Sequence, residues 1–357
     1  MKGAARRMRK RLLLSVLGGV AAFAVRSAAV AQSPSGPPAW AYGVPPSGAP
    51  AAPAGQRGGG APADDGSPKH LAGSSQSFTL AQLRDGFTIA DWYPEDHPKP
   101  PDIVMAGRRP DARACGLCHY PNGRGRPENA GLDGLPISYF MQQIDDFRHD
   151  LRRSAESRKT NTAIMTAIAK AMTDDEVRAA AEYFASLQRT PWIRVVESPT
   201  VPKTRLSGGM FVPLEGAETE PTADRIIEIP EHPDRTELRD PRAGFVAYVP
   251  VGSLMKGEAL VTTGGGGRTI ACGICHGADL NGLGPVPGIA GRSPSYQARQ
   301  LFDMQAGTRR GVWADLMKAV VVKLTPDDVI AITAYTASRS VRQPVIEGAP
   351  SGPRTLR

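Results

Sequence analysis

Hydrophobic and polar positions follow a helical rhythm in two well-separated parts of the chain. Val177, Ala180, Ala181, Phe184 and Leu187 recur at three- and four-residue steps, the spacing that gathers side chains on one face of a helix. Thr173 stands just ahead of them, followed by Asp174 and Asp175, with Glu176 in the capping-box position. That order satisfies free backbone amides and complements the helix dipole. Val329, Ile332 and Tyr335 repeat the arrangement behind Thr325 and the acidic pair Asp327-Asp328. Earlier in each part a second helix is predicted, one starting near Ser138 with Ile144 and Phe147 inward, the other near Ser295 with Leu301 and Met304 inward. A third helix is predicted over residues 251 to 261, VGSLMKGEALV. Few strands are expected, so the fold class read from the pattern is all-α. Residues 32–75, rich in Pro, Gly, Ala and Ser, have almost no apolar rhythm and are expected to form a disordered tether. Order is expected from near Phe78.

The two helical parts are copies of each other. A shift of 157 residues lays Cys115, Cys118 and His119 on Cys272, Cys275 and His276, Gly134 on Gly291, Ser138-Tyr139 on Ser295-Tyr296, Gln143 on Gln300 and Asp146 on Asp303. Farther on, the second copy is five residues shorter, and residues 165 to 187 match 317 to 339 at a shift of 152. An internal repeat of this length means two domains of one fold.

The chain has four cysteines, and all lie in the two copies of Cys-x-x-Cys-His. A zinc ribbon gathers two such pairs around one ion and spaces them by about 15–20 residues, whereas these stand 157 apart. A thioredoxin-like dithiol does not call for the following histidine. Haem accounts for every residue: each thiol adds across one porphyrin vinyl group, and the histidine is held where it can bind iron. The repeat also selects a sixth ligand. Met165 falls on Met317, whereas Met172 faces Leu324 and Met141 faces Ala298. The unmatched methionines are read as core filler. A thioether opposite imidazole raises the potential and closes both axial positions, which suits electron transfer and leaves no catalytic residue to assign. His97 is read as a surface or hydrogen-bonded histidine. TTGGGGRT, residues 262 to 269, lacks the Lys-Ser/Thr of a phosphate loop and is read as a turn.

The N-terminus changes the meaning of the charge. MKGAARRMRKR, the 14-residue apolar run from 12 to 25 and Ala29-Val30-Ala31 together describe a signal peptide over residues 1–31. The run is short of the roughly 20 residues that span a bilayer, so a periplasmic protein is expected, with membrane association only if the signal is uncleaved. The net charge is +8, and residues 1–31 hold seven basic side chains and no acidic one, leaving +1 for the mature chain. Nucleic-acid binding is therefore not expected. Basic residues outnumber acidic ones 11 to 6 over 242–342, read either as a solvated mixed surface or as a face that steers an acidic redox partner.

The paired Cys-x-x-Cys-His motifs, Leu132-Asp133-Gly134 and Ile289-Ala290-Gly291, the Tyr and Gln of the middle helix, and a Met ahead of a Thr-capped acidic helix start resemble class I c-type cytochromes, in particular the two-haem, two-domain cytochromes of bacterial respiratory chains. The resemblance covers residues 107 to 188 and 250 to 340. It implies two covalently attached haem c groups, with Cys115 and Cys118 or Cys272 and Cys275 as attachment points and His119 with Met165 or His276 with Met317 on iron. It also implies electron carriage to or from a membrane complex, a dehydrogenase or a terminal oxidase. Alternatives are a cytochrome subunit of a dehydrogenase complex and, less favoured, a two-haem peroxidase. One departure is that the haem-edge proline has candidates Pro285 and Pro287 in the second copy, whereas Pro127 is out of register and Ala130 faces Pro287. The expected organisation is a first cytochrome domain with its extension over 76–188, an irregular segment over 189–249, a second domain over 250–345 and a tail over 346–357.

Overall fold

The computed structural model describes residues 36–46, 48 and 64–341. The signal segment 1–31, residues 32–35, 47 and 49–63 of the tether, and the tail 346–357 lie outside the described residues.

Each repeat folds as predicted at its centre. The middle helices are Ile137–Arg148 and Pro294–Gln305, and the capped helices are Asp174–Ser186 and Pro326–Ala337. Thr173 and Thr325 each close a full capping box, with Glu176 and with Asp328, through hydrogen bonds of 2.8–3.2 Å. Phe140, Ile144, Phe147, Val177 and Phe184 pack into the first core, and Phe302, Val329, Ile332 and Tyr335 into the second. Gly134 and Gly291 turn at φ of 63° and 65°, and their amides donate to Phe184 O and Thr336 O at 2.9 and 3.0 Å. The loop after the cysteine motif is thus pinned to the capped helix in the same way twice. The copies diverge around the matched methionines. Met165 sits within one continuous helix, Thr160–Ala171, whereas Met317 lies between the short helices Val312–Leu316 and Lys318–Val321. The β-branched run Val320-Val321-Val322 disfavours a long helix there.

The helix before the second motif, Ser253–Thr263, crosses the capped helix at Gly257. A Cβ on Gly257 would overlap the Ala331 carbonyl and come within 2.7 Å of Tyr335 Cβ. Gly257→Val is therefore expected to destabilise the second domain by about 3 kcal/mol, the upper end of ordinary overpacking costs. A denaturant midpoint unchanged from the parent would show that the two helices can separate without loss.

Three expectations are corrected. The chain is not all-α, because residues 189–249 are not irregular. Ile193–Glu197 runs parallel to Phe245–Val249, and Ile227–Pro230 pairs antiparallel on the other side of that strand. Two smaller antiparallel pairs, Thr200–Pro202 with Thr219–Pro221 and Thr204–Ser207 with Met210–Pro213, complete the segment. The sheet brings Val195, Ala247 and Val249 against Ile330 and Ala334, the face of the last helix opposite its own domain core. That helix is apolar all round because it is covered on both sides. Second, part of the tether is ordered. Ala39–Tyr42 form a helical turn whose Tyr42 hydroxyl donates to Asp303 Oδ1 at 2.8 Å, and the Ala41 carbonyl accepts from Arg299 Nη1 at 2.8 Å. Trp40 meets Phe302 edge-on at 6.3 Å. Third, order begins before Phe78. Leu71, Leu80, Leu83, Trp92 and Tyr93 form a small core of their own, tied to the linker by Trp92 Nε1 donating to Leu238 O at 2.8 Å and by Arg242 stacked 3.5 Å over Tyr93.

His97 is hydrogen-bonded as expected, between Asp91 and the Pro98 carbonyl. The glycine run forms a turn in which Gly264, Gly265, Gly266 and Gly267 all have positive φ.

Candidate functional site

Both cysteine motifs fold as a single helical turn, Gly116–His119 and Gly273–His276. The His119 and His276 amides donate to Cys115 O and Cys272 O at 3.0 and 2.9 Å. That turn brings the two thiols and the imidazole of each motif onto one side, where all six line a cavity of about 430 Å³. This falls in the size range of small-molecule sites. In each copy the histidine Nδ1 stands 2.8 Å from a backbone carbonyl, Ala130 O for His119 and Pro287 O for His276. A carbonyl can only accept, so Nδ1 carries the proton and Nε2 keeps its lone pair. Burial lowers the pKa of His119 to about 4 and lowers that of His276 as well, so both rings are neutral near pH 7. A neutral imidazole oriented through its second nitrogen is a ready metal ligand. The out-of-register proline therefore costs the first copy nothing here: the atom used is a main-chain oxygen, and Ala130 supplies it as well as Pro287.

The surroundings of the thiols are not those of a reactive redox pair. Burial pushes Cys115 up to about 12 and Cys272 up to about 11, whereas a reactive dithiol needs a lowered pKa. Cys115 packs on the first core and Cys272 on the second, and among the described residues no three His, Cys, Asp or Glu side chains converge to hold a metal ion.

Met165 and Met317 both line the cavity, as do Met172 and Met304. Met172 and its counterpart Leu324 are each 5% exposed within their cores, so a leucine does the same work and no thioether is called for. Met304 corresponds to Phe147 in the repeat, another core side chain. Met165 and Met317 are only partly buried, at the edges of the two cores.

Between the domains lies a polar junction that the sequence reading did not assemble. Arg152 donates to Gln143 Oε1 at 2.8 Å in its own domain and to Tyr296 OH and Gln300 Oε1, both at 3.0 Å, in the other. Arg309 makes the mirror set, to Gln300 at 2.9 Å, to Tyr139 OH at 2.9 Å and to Gln143 at 2.8 Å. Tyr139, Gln143 and Arg152 match Tyr296, Gln300 and Arg309 at the shift of 157, so the junction has a local twofold. The signal was present: the same shift that aligns the Tyr and Gln also aligns the two arginines. Lys159 also faces the cavity, and its buried Nζ has no hydrogen-bond partner. Burial, then the neighbouring Arg299, lowers its pKa to about 7.

Apolar walls, paired thiols and neutral imidazoles, with Arg152, Lys159, Arg299 and Arg309 among the lining side chains, fit a haem: the thiols would hold it, the imidazoles would bind its iron and the cations would offset its carboxylates.

The cytochrome c family model matches residues 104–188. Cytochrome c-554(548) of Halomonas halodenitrificans is 35% identical over 69 residues, which cover 19% of this chain and 83% of that protein. The thiosulfate dehydrogenase electron acceptor of Stutzerimonas stutzeri (strain A1501) is 26% identical over 242 residues, 66% of this chain and 83% of that protein. Cytochrome c4 of Pseudomonas aeruginosa is 33% identical over 78 residues, 22% of this chain and 37% of that protein. With its twice-built site and these relatives, the chain belongs to the cytochrome c family and is a two-domain, haem-binding c-type cytochrome that transfers electrons.

Proposed function

We propose that the protein carries two haem c groups and passes electrons from a periplasmic dehydrogenase toward a downstream acceptor. One haem is bonded to Cys115 and Cys118 with His119 and Met165 on iron, the other to Cys272 and Cys275 with His276 and Met317. The observation that carries this reading is the repeated cradle: two neutral, cavity-facing histidines, each held by a carbonyl at 2.8 Å, share one cavity. The bound iron supplies one-electron chemistry between its ferric and ferrous states. The chain's own residues hold the ring, keep the imidazoles in one tautomer and set cations beside the carboxylates. The name of the relative that covers most of this chain, a thiosulfate dehydrogenase electron acceptor, favours a dehydrogenase as donor. Export by residues 1–31 favours the periplasm, and no helix among the described residues is long and apolar enough to cross a membrane. We assign the first domain to 76–188 and the second to 250–345, with the sheet of 189–249 as their connector.

Near-infrared spectra of the oxidised holoprotein test the ligands. A methionine sulfur on ferric haem gives a weak sulfur-to-iron band; Met165→Ala and Met317→Ala are each expected to remove half of it and leave two haems per chain. A haem that lacks the band in the parent protein has another ligand or an open position, and the carrier reading then gives way to catalysis at that iron.

A further inference from the structure

Pro37-Pro38 and Pro45-Pro46 bracket the stretch AWAYGV, residues 39 to 44. Proline fixes φ, so a segment flanked in this way loses less freedom when it docks. A four-residue helix does not stand alone in water, and Ala39–Tyr42 has no side-chain cap. Its order comes from what it touches. Ala41 and Tyr42 are fully buried and Val44 nearly so, yet none of residues 38–46 lines the cavity.

The turn touches all three parts of the molecule. From the second domain, Asp303 Oδ1 accepts the Tyr42 hydroxyl and Arg299 Nη1 donates to the Ala41 carbonyl, each at 2.8 Å. From the first domain, Arg158 Nη1 donates to Pro45 O at 2.9 Å. From the connector, the Gly209 carbonyl comes so close that a Cβ on Gly43 would overlap it. Trp40 packs on the second core and on the sheet cluster of Ala247 and Val249. Asp303 Oδ1 also accepts from Ala155 N of the first domain at 2.8 Å, so one carboxylate oxygen joins the turn to both domains.

The repeat shows how the second copy accommodates the turn. At the shift of 157, Asp303 and Arg299 correspond to Asp146 and Gln142. In the first copy Gln142 Nε2 donates to Asp146 Oδ1 at 3.1 Å from the preceding turn of the same helix. In the second, Arg299 turns instead to Ala41 O and to Pro127 O of the first domain, the latter at 2.7 Å. Tyr42 then supplies to Asp303 the donor that Asp146 takes from its own helix.

We infer that residues 38–46 are a strap that holds the two cytochrome domains and their connector in one orientation. The strap belongs to neither repeat, so a third segment fastens the join between the copies. Its consequence for electron exchange rests on the electron-carrier reading. Both haems would share the cavity that the two domains wall, and an electron would pass from a ferrous iron in one domain to a ferric iron in the other with no bond made or broken. That exchange falls steeply with distance, so it would depend on the strap.

The test uses the haem-loaded full chain and hydrogen exchange at the join, where Arg153 N donates to Thr308 O at 2.9 Å and Arg310 N to Leu151 O at 2.7 Å. Tyr42→Phe keeps the ring and removes the hydroxyl; it is expected to speed exchange of these amides about fivefold, the scale of one hydrogen bond. Gly43→Val forces a side chain onto Gly209 O at φ 60° and dislodges the turn, so at least about tenfold is expected. Asp174–Ser186 and Pro326–Ala337 should keep their protection, and the circular-dichroism couplet of two fixed haems in the Soret band should shrink in both variants. Parental exchange at the join in both variants overturns the inference. So does faster exchange that spreads equally to the two capped helices, because the turn then supports a domain rather than the join, and so does an unchanged couplet. A parent chain with no Soret absorbance sinks the carrier reading and leaves the exchange result to decide the strap.

Discussion

Cys272→Ala combined with Cys275→Ala yields a chain with one haem and a second domain that no longer folds, while the first domain survives. The cavity accounts for the size of the effect. At about 24 cal/mol per Å³ of unfilled core, a haem's share of the 430 Å³ cavity, roughly half, costs on the order of 5 kcal/mol. Whole domains are stable by about 5–15 kcal/mol. The first domain keeps its own core and the wrapped extension. Haem content from alkaline pyridine spectra and peptide-resolved hydrogen exchange check it. Protection persisting across Pro294–Gln305 and Pro326–Ala337 in the haem-deficient chain would show that these helices stand without the ring.

Arg309→Met is expected to cost about 1.5–3 kcal/mol, the loss of buried hydrogen bonds made by a charged group, and to split one calorimetric transition into two. Arg309 is 6% exposed and donates to Tyr139 OH, Gln143 and Gln300; methionine fills its volume but leaves Tyr139 OH without its donor and Gln143 and Gln300 with Arg152 alone. Lysine is not a rescue, because three separate acceptors need the planar fork. The mirror substitution Arg152→Met should act in the same way, and the double variant should cost more than the sum of the two, since only then do Gln143 and Gln300 lose both donors. A single transition moved by less than about 1 kcal/mol would mean that other contacts hold the domains together.

The parts that were legible in the sequence are those in which local pattern and global role coincide. Thr173 and Thr325 announce helices because capping is settled within four residues, and the repeat finds Cys115, His119, Cys272 and His276 because a covalent haem demands fixed spacing. What escaped is non-local. Ile193–Glu197 and Phe245–Val249 have strand composition, but each is only five residues long, and their partner lies about fifty positions away. Ile330 and Ala334, apolar on the outer face of a helix, were the available hint that something covers it. The docked turn at Trp40 and Tyr42 was hidden by composition: its neighbours are Pro, Gly and Ala, and only its contacts with Phe302 and Asp303 order it. The junction of Arg152 and Arg309 needed the repeat to be read as two surfaces facing each other, as well as two sequences lying side by side.

That crossed pair of arginines gives the molecule the interface of a homodimer inside a single chain. Each half offers the other the patch it receives, the self-complementary contact by which identical protomers associate about a twofold axis. Features without a counterpart, such as Arg292 reaching Asp133 at 2.7 Å or Arg299 reaching Pro127 O at 2.7 Å, break that equivalence. The fusion of the halves has left them free to diverge: one could take up an outside segment and the other stay self-sufficient, a division of labour that a dimer of identical subunits cannot make.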